Sequence, residues 1–305
     1  MNESSWDVII VGGGSAGLSA ALMLVRARRR VLVLDAGEPR NRVAPHMHGV
    51  LGRDGTSPLQ LLADGRREVE GYGGRVLSAR ATAAEREGAG FVVTTDDGSR
   101  FTARRLVVAT GMRDELLPVP GLAEQWGTGV VTCPYCDGWE VRDRRIAVVA
   151  TDEHGPLKAQ LLRQWSADVM LFTNGEPEPA EPQRAALTAR GIRVEARPIA
   201  RVVDENGRLA AIELTDGERI PVDAIFANPA PLPSSALLDA LDPAWSVADP
   251  SGRTTIPGVW VAGNVANPAA TVPVSMASGA QAGAMANFEL VEEDVADALW
   301  AMAQA

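Results

Sequence analysis

The sequence predicts an α/β protein of two three-layer domains, each built around a mainly parallel sheet. Three observations carry that expectation. A strand–turn–helix–strand unit opens the chain, a second unit of the same length and pattern begins at Ile146, and the Pro-rich segments PVPG and NPAPLPSS bracket the second. The expected division gives one discontinuous domain, residues 1–115 and 244–305, with the other inserted as residues 116–243.

A chain of 305 residues suits two ordinary domains, and 46% apolar with 22% charged residues is a globular composition. The net charge of −10 argues against nucleic acid, whose phosphates need a basic face. The one basic tract, Arg26 to Arg30, falls at a helix end, where cations complement the helix dipole. No apolar run approaches the ~18 residues of a membrane span. The start, MNESSWDVII, lacks the pattern of a secretory signal, so the expected location is cytoplasmic. Both cysteines lie in one CPYC tetrapeptide, which in a reducing compartment points to catalysis or metal rather than a structural staple.

The opening unit is WDVIIVGGGSAGLSAALMLVRARRRVLVLDAG. Its apolar run Val8 to Val11 reads as a strand buried on both faces. Gly12, Gly14 and Gly17 then fit the spacing G-x-G-x-x-G. The first permits the tight turn, the second lets backbone approach a pyrophosphate, and the third lets helix and strand pack closely. Unpaired N–H groups at the helix start favour the anion. Asp35 ends the second strand, 18 residues after Gly17, where an acid accepts hydrogen bonds from a ribose. These signals in register make the unit a Rossmann-type dinucleotide site.

Two later segments bear on which dinucleotide. One is a strand ending in Ala109-Thr110-Gly111; the other is a strand ending in Gly263-Asn264, followed after Thr271 by a helix rich in small residues. Together with the N-terminal turn they resemble the FAD domain of the two-dinucleotide-fold flavoprotein disulfide reductases. That resemblance implies FAD as cofactor. It places Gly12, Gly14, Ser15, Ala16 and Gly17 at the pyrophosphate, and Asp35 at the ribose. It adds Arg40 and Asn41 beyond that strand, Thr110 and Gly111, and Gly263. Asn264 stands where the family usually has Asp and would reach the ribityl chain. The helix carrying Val274 would aim its N-terminus at the pyrimidine edge of the flavin.

The second unit, IAVVATDEHGPLKAQLLRQWSADVMLFTNG, aligns with the 30 residues from Val8 without a gap. In this copy Ala150 replaces Gly12, Asp152 replaces Gly14 and Thr173 replaces Asp35; only Gly155 matches Gly17. Asp152 puts a side chain of the ligand's own sign at the point of closest approach. Like charges ~4 Å apart repel by about 4 kcal/mol at an effective dielectric of ~20, nearly three orders of magnitude in affinity. Glu153 adds to this, and the acidic segment TNGEPEPAEPQR lacks the arginines that a 2′-phosphate needs. The copy reads as a scaffold, and no NADPH is expected.

TCPYCDGWE sets Cys133 and Cys136 two residues apart. The pair reads as a redox-active dithiol or as half of a metal site, the latter requiring His46 and His48 and having no other support. A redox pair needs one thiol of lowered pKa. Asp137 is placed to move a proton, its plainer reading being a helix-capping carboxylate. The order of FAD half, CxxCDG, nucleotide-like domain and FAD half resembles low-molecular-weight thioredoxin reductase along essentially the whole chain. DAGEPRNRVAPHMHGVLGRDG and CPYCDGWE look closer to the thioredoxin-reductase-like dithiol oxidases that close disulfides in holomycin, gliotoxin and romidepsin precursors.

That resemblance implies that Cys136 faces the flavin C4a and Cys133 exchanges with substrate, and it implies a homodimer. Several of those oxidases carry His where this chain has Asp137, and many relatives keep a recognisable NADPH loop. His46 and His48 read either as proton acceptors near the thiols or as polar loop residues. The leading expectation is an FAD-dependent oxidase of a small-molecule dithiol, using O2 and releasing H2O2. A reductase fed by ferredoxin or another protein donor, and a thiol-redox sensor without turnover, are the alternatives.

Overall fold

The computed structural model describes residues 5–150 and 152–304. The chain sorts into two compact units, Met1–Arg42 with Ser57–Arg113 and Pro231–Ala305, and Val43–Thr56 with Asp114–Ala230.

The first unit begins with β1 (Ser5–Val11), α1 (Ser15–Arg26), β2 (Val31–Asp35), α2 (Pro58–Gly71) and β3 (Arg75–Ser78). It continues through β4 (Ala81–Glu87), β5 (Gly90–Thr95) and β6 (Arg100–Val108), and the chain leaves within β7 (Met112–Glu115). In the second unit follow β8 (Val130–Val131), α3 (Pro134–Asp137), β9 (Ile146–Val149), α4 (Gly155–Leu162), β10 (Val169–Phe172), α5 (Gln183–Ala189) and β11 (Arg193–Glu195). A meander β12 (Ile199–Glu205), β13 (Arg208–Leu214) and β14 (Arg219–Pro221) precedes β15 (Ala224–Ala227) and the returning β16 (Ala230–Pro233). The first unit closes with α6 (Ala236–Leu241), β17 (Val259–Val261) and α7 (Val272–Gln304).

The order of the first sheet is β3-β2-β1-β6, all parallel, and β6 serves two neighbours. Its first half pairs antiparallel with β5, its second half parallel with β17. All five residues of β2 are buried, as are the last four of β1, because both faces are covered. Successive side chains alternate between two cores. Val8, Ile10 and Val33 pack under α1 and the Ala282–Ala286 stretch of α7. Ile9, Val11 and Leu32 pack on Phe91 and Val93 of β5 and on Leu237 and Leu238 of α6. The three layers are therefore helix, parallel sheet and antiparallel meander.

The second unit repeats this plan with a parallel sheet β11-β10-β9-β15-β8 and the antiparallel meander β12-β13-β14. Val8 pairs with Val31 and Ile146 with Val169, the same 23-residue offset in both units. Three groupings differ from the sequence-based division. Residues 231–243 go with the first unit because Leu237 and Leu238 are buried in its core, and residues 43–56 and 114–115 go with the second. Among the described residues no helix is long and apolar enough to cross a membrane.

Candidate active site

The glycine turn after β1 is fixed by crowding on one side and open on the other. Gly12 has φ +106°, and a Cβ there would collide with the Ala109 carbonyl oxygen. At Gly17 a Cβ would collide with the Gly12 carbonyl oxygen, so α1 lies directly against the turn. Around Gly14 nothing lies within 4 Å of where a Cβ would be. Gly14 is the N-cap of α1, and no acidic residue stands in the first turn. An open backbone face ending in the unpaired N–H groups of a 12-residue helix fits the pyrophosphate of a dinucleotide.

The other residues that the sequence assigns to the cofactor divide into those near this face and those already engaged. Ser15 occupies the first turn of α1, half-buried. Ala16 is buried beneath α7 and the Gly263 turn, so its side chain serves packing. Asp35 is 7% exposed, accepts from the backbone N–H groups of Gly13 at 3.1 Å and Gly37 at 3.2 Å, and is paired with Arg66. Its carboxylate thus braces the turn, and Arg66 of α2, missed in the sequence, takes one of its oxygens. Arg40 donates to the Pro268 carbonyl at 3.2 Å, and Asn41 is half-buried beside it in sequence.

Thr110 donates its hydroxyl to the Ser234 carbonyl at 2.6 Å, while Gly111, at φ +70°, accepts from Ser234 N–H at 3.0 Å. Gly263 has φ +73° and donates its N–H to Ser278 Oγ of α7 at 3.0 Å. Asn264 spends its amide N–H groups on the carbonyls of Asn267, Pro268 and Ala270, at 3.0–3.2 Å. Those N–H groups organise its own loop. Val274 is exposed on the first turn of α7, which does begin just after Thr271.

The cysteines lie in the second unit. Cys133 caps the one-turn helix α3 and Pro134 fills its first position, where a missing N–H costs nothing. Cys133 and Cys136 form a disulfide, Cα atoms 5.2 Å apart, and both are half-buried. The Cys133 carbonyl accepts from Cys136 and Asp137 N–H, so the motif is wound around one oxygen. Gly138 follows because a Cβ there would strike the Pro134 carbonyl and lie 2.9 Å from the Trp165 ring. Tyr135 and Trp139 remain exposed on either side of Cys136 in sequence.

Asp137 does not serve as a helix cap; it is the last residue of α3. Burial, with a contribution from Glu140, pushes its carboxyl up to about 6, and His48 pulls the other way. His48 reaches this segment from a distant loop, with Nε2 3.4 Å from Glu140 Oε1. His46 instead places Nδ1 3.1 Å from the Gly55 carbonyl, within its own loop. The sequence held no signal tying His48 to Glu140, since their separation of 92 positions has no period to read.

In the degenerate copy the helix starts two residues late. Ser15–Gly17 of α1 align with residues 153–155, yet α4 starts only at Gly155. Asp152 closes the gap, accepting from His154 N–H at 3.1 Å and from Asn228 Nδ2 at 3.0 and 3.2 Å. Thr173 donates to the Glu176 carbonyl at 2.7 Å. Gly155 would carry its Cβ 2.6 Å from that of Ala150, which is the helix–sheet packing role expected of it. Lys158 of α4 turns inward, donating to the carbonyls of Thr132 at 2.9 Å and Ala227 at 3.3 Å, and burial lowers it to about 8.

The chemistry these two units supply is that of a flavoprotein disulfide oxidoreductase. Residues 6–279 match the model described as pyridine nucleotide-disulphide oxidoreductase, and the chain belongs to that family. Its fold is that of the thioredoxin reductases. It is similar to the crystal structure of HlmI, with 42% identity and a TM-score of 0.95 over 100% of this chain and 98% of that one. An oxidoreductase from Agrobacterium tumefaciens shows 39% identity and a TM-score of 0.88, covering 94% of this chain and 99% of its own. The thioredoxin reductase tcpT of Claviceps purpurea is 32% identical over 309 residues, 94% of this chain and 95% of that protein. The family implies FAD, and the open Gly14 face with the α1 N-terminus fits it.

Proposed function

We propose that the protein is an FAD-dependent oxidase that closes a disulfide in a small-molecule dithiol, with O2 as terminal acceptor and no use of NADPH. The carrying observation is the second nucleotide loop, where Asp152 and Asn228 are bonded to each other and the helix starts two residues later than in the first unit. Without that donor the cysteine pair draws electrons from its substrate.

A substrate thiol gives up its proton, and its thiolate attacks Cys133 Sγ. The S–S bond breaks and its electron pair leaves on Cys136 Sγ. The second substrate thiol loses its proton and displaces Cys133, completing the substrate disulfide. Two electrons and two protons have then left the substrate, and Asp137, as carboxylate, accepts a proton in this exchange. FAD, held at the Gly12–Gly17 turn and the α1 N-terminus, would supply the two-electron acceptor that restores the Cys133–Cys136 disulfide, with O2 as the terminal acceptor going to H2O2. The exposed Tyr135 and Trp139 offer apolar ring surface to a small-molecule substrate. We extend the proposal to a homodimer, since α7 exposes Phe288, Val295, Leu299 and Met302 at helical spacing; light scattering tests it.

The test is anaerobic. Flavin absorbance is followed with NADPH in one cuvette and dithiothreitol in another, and air is then admitted. Bleaching by the dithiol alone, with peroxide and recolouring in air, supports the oxidase. Rapid bleaching by NADPH overturns it, and bleaching by neither points to a protein donor. Two variants refine the reading. Asp137→Asn lowers turnover about 10²- to 10⁴-fold and removes a limb near pH 6: the carboxyl is ionised above that pH and holds a proton below it. Asp152→Gly alone confers no NADPH oxidation, because the late start of α4 and the missing arginines remain.

A further inference from the structure

His48 is held from both sides. Its neighbours Met47 and Val50 are each 6% exposed, and Met47 exchanges backbone hydrogen bonds with Thr56 and Gly55 at 2.9 Å, closing the loop. Nδ1 of His48 lies 3.3 Å from Asp54 Oδ2. The other oxygen of Asp54 accepts from Gly49 N–H at 2.9 Å, and these contacts hold its carboxyl below the usual range. Nε2 faces Glu140 at 3.4 Å. An imidazole fixed by a carboxylate on one nitrogen presents the other in a set direction. That direction is toward the segment that carries Asp137.

We propose that His48 is a positioning residue for the Asp137 proton: clamped by Asp54, it offsets the Glu140 carboxylate and so sets the pH at which Asp137 exchanges protons during thiol–disulfide exchange. The proposal rests on the reading of Asp137 as the acid/base group. Two charged groups act on this proton. Glu140, on the same segment, disfavours the ionised form of Asp137, and His48, from the 43–56 loop, favours it. Lys158, from α4 packed on α3, has its ammonium turned to the Thr132 and Ala227 carbonyls. Arg142 stacks on the exposed Trp139, 4.3 Å from its ring centre. His48 and Glu140 therefore act on Asp137 with opposite sign, and a merely structural histidine would not.

The experiment is single-turnover reduction of the Cys133–Cys136 disulfide by dithiothreitol without oxygen, from pH 4.5 to 9. Samples are acid-quenched, alkylated and counted by mass, in wild type, His48→Gln, Glu140→Gln and Asp137→Asn. The Asp137-dependent limb is the difference between wild type and Asp137→Asn. His48→Gln is expected to move it up and Glu140→Gln to move it down, each by about half a unit. Shifts of the same sign, or none, overturn the inference while leaving Asp137 in its role. A profile unchanged in Asp137→Asn defeats the acid/base reading itself, and this inference with it. Glu140 is partly exposed on the surface, so its variant still reports if His48→Gln folds poorly.

Discussion

Cys136→Ser is expected to lower dithiol oxidation by at least about three orders of magnitude, and Cys133→Ser to do the same, because neither sulfur alone can cycle. The two variants differ in what they retain. With Cys136 gone, a thiol bound to Cys133 has no neighbouring thiolate to expel it, so Cys136→Ser accumulates a mixed disulfide with an activated disulfide probe. Mass spectrometry after digestion locates the adduct. An adduct that forms faster and lasts longer on Cys136, in Cys133→Ser, would reverse the order of the two sulfurs. The geometry makes this a clean comparison, since Cys133 caps α3 and Cys136 sits within it, both half-buried.

Gly279→Val should damage the first unit more than any substitution on its surface. A Cβ at Gly279 would collide with the Ala16 carbonyl, and the next turn repeats the contact between Gly283 and Ala20. Both sides are helical backbone and cannot yield, so overpacking costs about 3 kcal/mol or more. Because Ser278 of the same helix receives the Gly263 N–H, displacing α7 also releases the Gly263 turn. The expected result is a lower denaturation midpoint together with flavin-poor protein. Gly14→Ala is the contrasting case. Nothing stands near its Cβ position, so the fold survives and only flavin content falls. If both variants lose stability equally, the open face at Gly14 is not a ligand face.

The parts of the molecule that could be read from the sequence are those set by local spacing. G-x-G-x-x-G, the alternating buried strands and the 30-residue repeat each have a period or fixed offset, and the fold shows the repeat as identical strand registers. That the third layer is an antiparallel meander could not be read in advance, because no local spacing fixes the partners of β4, β5 and β6 and only their pairing shows it. Side-chain partners were least legible. Nothing near Asp35 announces Arg66, nothing near Asn264 announces that its amide folds back on three carbonyls, and Glu140 carries no mark of His48. Each of these is a contact between residues whose order in the chain places no limit on their distance in space.

The double duty of β6 also has a consequence for biogenesis. Its second half must wait for β17, more than 150 residues later, before the first parallel sheet is complete. Contacts of such sequence separation form late, because the loop they close is long. During synthesis the second unit, continuous from Asp114 to Ala230 apart from the 43–56 loop, leaves the ribosome whole while the first is still missing an edge strand and α7. The nascent chain therefore has its disulfide-bearing unit whole before the unit of the Gly14 turn can close.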